Sequence, residues 1–155
     1  MGEVVCAVSE ATHHEAILVT DVGQNQMMAA RYFKYTKNRS IVTSGGLGTI
    51  MEQQASVKMI LMNNNYLGNV RQWQKMFFGG RYSFTPMVNP DYMQIASAYG
   101  IPSRRVINRE DLQEAVQEML ATDGPFLLEA CVVEEGTVMP MTPPGGTVSE
   151  MLLEC

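Results

Sequence analysis

Short apolar runs ending in glycine or asparagine turns alternate along this chain with longer stretches of helical character. Ala16 to Thr20 is the first such run. It closes on Asp21-Val22-Gly23, and Gln24 to Phe33 then has helix-favouring composition, which predicts a strand, a tight turn and a helix. Arg39 to Thr43 reads as a weaker strand ending at Ser44-Gly45-Gly46-Leu47-Gly48-Thr49, a turn where bare backbone can approach a ligand closely. Ile50 to Ala55 is predicted helical. Val57 to Met62 is an apolar strand that runs directly into Asn63-Asn64-Asn65-Tyr66-Leu67-Gly68, and an amphipathic stretch continues through Trp73 and Phe78 until Gly79-Gly80 breaks it. Asn89-Pro90-Asp91 predicts a helix start, with a capping amide and proline at the first helical position, and Gly100-Ile101-Pro102 predicts its end. Asn108 and Asp111 resemble a capping box ahead of Leu112, Ala115, Val116, Met119 and Leu120, which share one helical face. Gly124-Pro125 stops that helix, and Phe126 to Val133 is the last strand.

Strands alternating with helices predict an α/β fold: an open, mainly parallel sheet with helices on both faces. At 155 residues, without repeat or linker, residues 1–155 are expected to form a single domain with its own core. The 134–155 tail, Pro/Gly-rich from Pro140 to Gly146, is expected to be irregular. The net charge of −5 and the absence of Lys/Arg clusters exclude a nucleic-acid surface but not a small phosphate-bearing ligand, which backbone N–H groups and a metal can hold. Cys6, Cys131 and Cys155 are odd in number and widely spaced, so no disulfide framework or metal knuckle follows, and a reducing cytoplasm is the expected setting. No charged leader precedes an apolar core and no apolar run approaches membrane-spanning length, so no membrane association is expected. The 13 methionines read as packing residues.

Three turns, at 21–24, 45–49 and 63–68, each follow a predicted strand and would converge on one edge of a parallel sheet, where open α/β sheets bind ligands. Any one of them alone is an ordinary turn, because Gly and Asn tolerate positive φ. Neutral amide oxygens suit a hard cation that already holds phosphate, which points to a metal-diphosphate site. His13 and His14 lie in a polar stretch and are expected to face solvent; Ser44 and Ser83 lack a nucleophile-elbow setting. Trp73 is either a core residue or part of the pocket mouth.

At these turns the chain resembles the carboxy-terminal, diphosphate-binding domain of the acetolactate synthase (acetohydroxyacid synthase) large subunit. The resemblance covers nearly the whole chain and rests on Val19-Thr20-Asp21-Val22-Gly23-Gln24-Asn25-Gln26-Met27, on Thr43 to Thr49, on Asn63 through Gln74, and on Arg81-Tyr82-Ser83. It implies thiamine diphosphate held through Mg²⁺, and decarboxylating condensation of 2-oxo acids (pyruvate, 2-oxobutyrate) in branched-chain amino-acid synthesis. By matched position, Asn64 and the Tyr66 carbonyl would ligate the metal. Val22, Gly23, Gln24 and Asn25 would line the diphosphate, although most relatives have His at Asn25. Gly48 would accept the aminopyrimidine, Ile50 aligns with the methionine that shapes the cofactor, Gly68 joins the cofactor-binding set, and Trp73 would shape the pocket for the second oxo acid. The resemblance also implies a homo-oligomer, contact with a regulatory subunit, and FAD bound by a middle domain that this chain does not contain. The activating glutamate comes from another domain, so no catalytic residue is expected here.

One departure matters. The family's Gly-Asp-Gly segment, whose aspartate is the charged metal ligand, is missing: Gly48-Thr49 passes straight to Ile50-Met51-Glu52-Gln53-Gln54. Leu47-Gly48-Thr49 fits either the glycine turn or the start of the next helix, and Ile50 shares that ambiguity. An internal deletion joined there would remove a helix, a central strand and the aspartate, and would leave a chain inactive on its own. The alternative is a non-enzymatic fragment that associates with other subunits through exposed apolar surface.

Overall fold

Val4, Ala7, Val8 and Ala11 recur at the spacing of one helical face, and the chain begins with a helix there, α1 (Gly2–Ala11). The computed structural model describes residues 1–21, 23–36, 41–43, 56–134, 136–143 and 145–153. Helix α1 lies outside the predicted elements, because a face of only four small apolar residues is a weak signal. After it come β1 (Leu18–Thr20), α2 (Gln24–Tyr32) and β2 (Ile41–Thr43), with β1 and β2 paired in parallel. The second half runs β3 (Lys58–Asn63), α3 (Gly68–Phe77), α4 (Tyr92–Ala98), β4 (Ser103–Val106), α5 (Leu112–Ala121) and β5 (Phe126–Cys131).

Strand β5 lies between β3 and β4 and is parallel to both, which sets Leu61, Glu129 and Arg105 side by side. The α/β expectation holds, and so does the interruption. Among the described residues no strand joins β1–β2 to β3–β5–β4, so the parallel sheet is in two pieces. The helix predicted at 50–55 and the 45–49 turn fall outside the described residues. Strand β4 was not legible because Arg104 and Arg105 interrupt its apolar pattern. Both arginines have carboxylate partners: Arg104 pairs with Glu114 and Glu118 of α5, and Arg105 with Asp91 and Glu129.

One face of the larger sheet supplies the core. Ile60, Val106, Phe126, Leu128 and Ala130 pack against Leu112, Ala115, Val116 and Met119 of α5 and Val4, Ala7 and Val8 of α1. Burying such side chains is the main favourable term of folding. The other face carries α4, tied on by Arg105, so helices cover both faces. Helix α1 also packs on α2, and Ser9, buried in α1, accepts a hydrogen bond from Lys34 N beyond α2 at 3.0 Å. It is therefore a cross-tie between the two parts of the sheet.

Three local expectations are corrected. Asp91, not Asn89, caps α4, its Oδ1 accepting from Met93 N at 3.1 Å, because Asp91 is itself extended and the helix begins at Tyr92. Asn108 does not cap the backbone of α5; its Nδ2 donates to Asp111 Oδ2 at 3.3 Å across a 3-10 turn, Arg109–Asp111, that precedes the helix. His13 is exposed as expected, but His14 is half-buried with Nδ1 2.8 Å from Ser9 Oγ. Beyond residue 134 the chain has a 3-10 turn, Val148–Glu150, and a bridge between Met141 and Leu152. Among the described residues no helix is long and apolar enough to cross a membrane.

Leu128 is 0% exposed at the sheet centre, so Leu128→Ala should cost about 2–5 kcal/mol, read as a lower urea midpoint at unchanged slope. Acid should act through Asp91. Burial pushes this carboxyl up, but the Met93 N–H and then the Arg105 guanidinium outweigh it and hold the carboxyl below its ordinary 3.8. A carboxyl lowered on folding stabilises fully above its unfolded value and loses that contribution as pH falls through the folded one. Asp91→Asn should therefore flatten the fall in urea midpoint below about pH 4 relative to the native chain.

Candidate functional site

The amide loop at the carboxyl end of β3 is shaped by its own side chains. Asn63 Oδ1 accepts from Asn65 N at 3.0 Å, Asn64 Oδ1 accepts from Tyr66 N at 3.2 Å, and Asn65 is left-handed with φ +57°, a conformation asparagine tolerates. Tyr66 then bridges to Pro86: Leu67 N donates to Thr85 O and Met87 N to Asn65 O, both at 2.8 Å. Those two bonds leave the Tyr66 carbonyl unused. Asn64 is buried at 7% exposure, while Gly68 opens helix α3 directly behind it.

The first and third predicted turns meet here. A Cβ built on Gly68 would overlap the Gln24 side-chain oxygen and lie 2.8 Å from Asn64 Nδ2, so a larger residue would displace both side chains where the start of α2 and the amide loop meet. Gln24 Nε2 donates to Gln72 Oε1 at 3.0 Å and to Gly136 O at 2.9 Å. Gly23, at φ +148°, ends β1's turn and precedes α2, with Asn25 half-buried in the first turn of that helix. The start of the expected irregular tail also belongs to this region.

Gln72 and Gln74 had no assigned role from sequence, and the structure supplies one. Gln72 takes the Val138 N–H at 2.9 Å and donates to the Val138 carbonyl at 3.0 Å, which imitates a strand partner; Gln74 does the same for Ser83, both bonds at 3.0 Å. Trp73, between them, is 39% exposed and packs edge-on to Phe77, so it is not a core residue. Arg71 lies between the rings of Tyr66 and Tyr82, 4.3 and 3.8 Å from their centroids, which favours the cation electrostatically. The hollow between Gly68, Arg71, Gln72 and Gly136 has a volume of about 10 Å³, room for one water and not for a cofactor. Among the described residues a ligand at this rim would lie on a surface and need a second wall.

Val22, Gly48 and Ile50 fall outside the described residues, whereas Gly23, Gln24, Asn25, Asn64, Tyr66 and Gly68 cluster at one end of β1 and β3. For a divalent cation, the donor set is tested by its acceptors. Among the described residues, the Tyr66 carbonyl is unused by the bridge, the buried Gln24 Oε1 has no hydrogen-bond partner, and Asn64 Oδ1 has one long bond. Oxygen acceptors lacking donors fit a hard cation. Among the described residues no group of three His, Cys, Asp or Glu side chains could hold a metal. Cys6 and Cys131 are free thiols, and Cys131 stands in register with Asn63 at the end of β3.

Residues 46–130 match the family described as thiamine pyrophosphate enzyme, C-terminal TPP binding domain. The chain is 33% identical over 184 residues to the acetolactate synthase isozyme 2 large subunit of Escherichia coli (strain K12), covering 94% of this chain and 34% of the relative. It is 34% identical over 193 residues to acetolactate synthase 2, chloroplastic, of Nicotiana tabacum, covering 95% and 29%. The crystal structure of benzoylformate decarboxylase from Polynucleobacter necessarius shares the fold, with a TM-score of 0.72 at 15% identity over 89% of this chain and 34% of that one. The chain thus spans about a third of the length of these relatives. Since 94% of 155 residues is about 146 while the bacterial alignment runs over 184, about 38 aligned positions of that relative have no counterpart here. That deficit suits the loss of a strand and its helix. By family match and fold, this chain belongs to the thiamine pyrophosphate enzymes as a C-terminal TPP-binding domain, of the kind found in acetolactate synthases and shortened internally.

Proposed function

We propose that this chain is the cofactor-holding part of an acetolactate synthase that condenses 2-oxo acids, pyruvate and 2-oxobutyrate, with decarboxylation in branched-chain amino-acid biosynthesis. The meeting of Gln24 with Gly68 and Asn64 carries the reading, because it brings a helix start and an oxygen-rich loop to one rim. Asn64 and the Tyr66 carbonyl would hold Mg²⁺. The first N–H groups of α2, around Gly23, Gln24 and Asn25, would face the diphosphate, where a helix start favours anions. Gly68 keeps the loop close, and the exposed Trp73 would wall the second oxo acid. When bound, thiamine diphosphate supplies the nucleophilic carbon and electron sink on which a 2-oxo acid loses carbon dioxide.

The chain's own contribution is to grip and orient. With neutral oxygens alone, metal affinity should be weaker than in a site with a carboxylate by at least about 10–100-fold. No general acid or base is assigned to this chain, and FAD would belong to another domain of the full-length enzyme, so isolated turnover is not expected. The assembled protein would be a cytoplasmic homo-oligomer open to a regulatory subunit. A second reading, association without catalysis, draws on β3: its outer edge has no strand partner among the described residues, and all six of its residues are only half-buried.

Calorimetry with thiamine diphosphate should show weak heat that requires Mg²⁺ and disappears in Asn64→Ala; a native chain without Mg²⁺-dependent heat would remove the cofactor reading. Acetolactate formation from pyruvate with both cofactors and FAD should stay at background. Size-exclusion chromatography separates the readings, since oligomers that form equally well without cofactor support association alone. Gly68→Ala should destabilise by about 1–3 kcal/mol in thermal melts and weaken cofactor binding, because Gln24 and Asn64 must both move.

A further inference from the structure

Glu129 is 1% exposed in the middle of β5, yet it is far from idle. Its Oε1 accepts from Asn63 Nδ2 at 2.8 Å and its Oε2 from Arg105 Nε at 2.6 Å, while Arg105 also donates to Asp91 Oδ1 at 2.9 Å. We infer that Glu129 is the positioning residue of the amide loop: by fixing which way the Asn63 amide faces, it holds the turn that presents Asn64 and the Tyr66 carbonyl. The functional meaning of that turn rests on the cation site proposed above; the positioning itself does not.

Polarity fixes the Asn63 amide. An asparagine amide has one accepting and one donating end, and its orientation follows from its partners. The Glu129 carboxylate offers only acceptors, so Asn63 must turn Nδ2 towards it and Oδ1 away. On that far side two donors wait: Asn65 N at 3.0 Å and Asn89 Nδ2 at 2.8 Å. Asn89 Nδ2 also reaches Asn65 Oδ1 at 3.2 Å, and Asn89 Oδ1 takes the Tyr92 hydroxyl at 3.2 Å. Every donor meets an acceptor in only one orientation of Asn63. That orientation supplies the acceptor for Asn65 N, which holds Asn65 in its left-handed conformation.

Glu129→Gln reverses the logic without changing shape. Arg105 Nε can only donate, so it claims the new amide's oxygen and leaves the new NH2 facing Asn63. The Asn63 amide must flip, and its own NH2 then opposes Asn65 N and Asn89 Nδ2. Asn63→Asp alone instead sets a second carboxylate against Glu129. Together the two substitutions restore complementarity, because the new carboxylate accepts from the new amide on one side and from Asn65 N and Asn89 on the other.

The test is nuclear magnetic resonance of the full chain, reading the HN–Hα coupling and Cα and Cβ shifts of residue 65 in the native chain, each single variant and the double variant. The left-handed signature should be present in the native chain, lost in Glu129→Gln and restored in the double; Asn63→Asp alone, whose carboxylate still accepts from Asn65 N, should keep the turn and lose stability to the two apposed carboxylates. A folded Glu129→Gln that keeps the signature, or a double variant that fails to regain it, overturns the assignment. Where a single variant unfolds, the double decides: recovery of fold and turn supports the inference, and persistent unfolding overturns it. Titration with thiamine diphosphate and Mg²⁺ in the same samples should show affinity about 10–100-fold weaker in Glu129→Gln and recovered in the double. No binding by a native chain with an intact turn would sink the cation site alone.

Discussion

A carboxylate removed from water must find donors, and Glu129 finds them on both neighbouring strands. Breaking such a buried pair costs far more than making it gains, so the surrounding parts are held in one arrangement. Arg105 extends the tie to Asp91 and thus to the start of α4; Asn63 extends it into the amide loop. The end of the three-stranded sheet, the cap of a helix and the shape of the rim all depend on that one group. On the opposite face the apolar core supplies most of the stability but no such selectivity, since burial is non-directional.

The divided sheet is bound together by means other than strand pairing. Helix α1 packs on both α2 and α5, Gln24 and Gln72 join the two parts at the rim, and Val138 is fastened by a side-chain amide where a strand neighbour would otherwise serve. These ties are individually modest, about 1 kcal/mol for a hydrogen bond, but they satisfy buried polar groups that would be costly if left alone. The geometry of the rim and the joining of the two parts therefore draw on the same residues, notably Gln24 and Gly68.

Where the pattern was strongly periodic the fold was legible: α5 and β5 follow from Leu112 to Leu120 and from the run at Phe126, and β3 from Val57 to Met62. Helix α1 was missed although Val4, Ala7, Val8 and Ala11 mark its face, and β4 because two ion-paired arginines conceal its alternation. At the rim, the Gly and Asn residues could be read because unusual backbone needs them. The roles of Glu129, Gln72 and Asn89 could not, since a buried carboxylate or amide in a sequence carries no mark of its distant partner. Asn89 is the clearest case: it sits where a helix cap is expected, but its amide serves the loop after β3.

The turns after β1 and β3 meet at one rim, and within each piece of the sheet the strands share a heading. In a meander, excising one strand would send every later turn to the opposite end of the molecule. Where strand–helix repeats begin and finish with the same polarity, excision shortens the row of loops without inverting those that survive. Parallel architecture thus makes a ligand-binding edge tolerant of whole-repeat loss, and what remains is fewer contacts in their former direction.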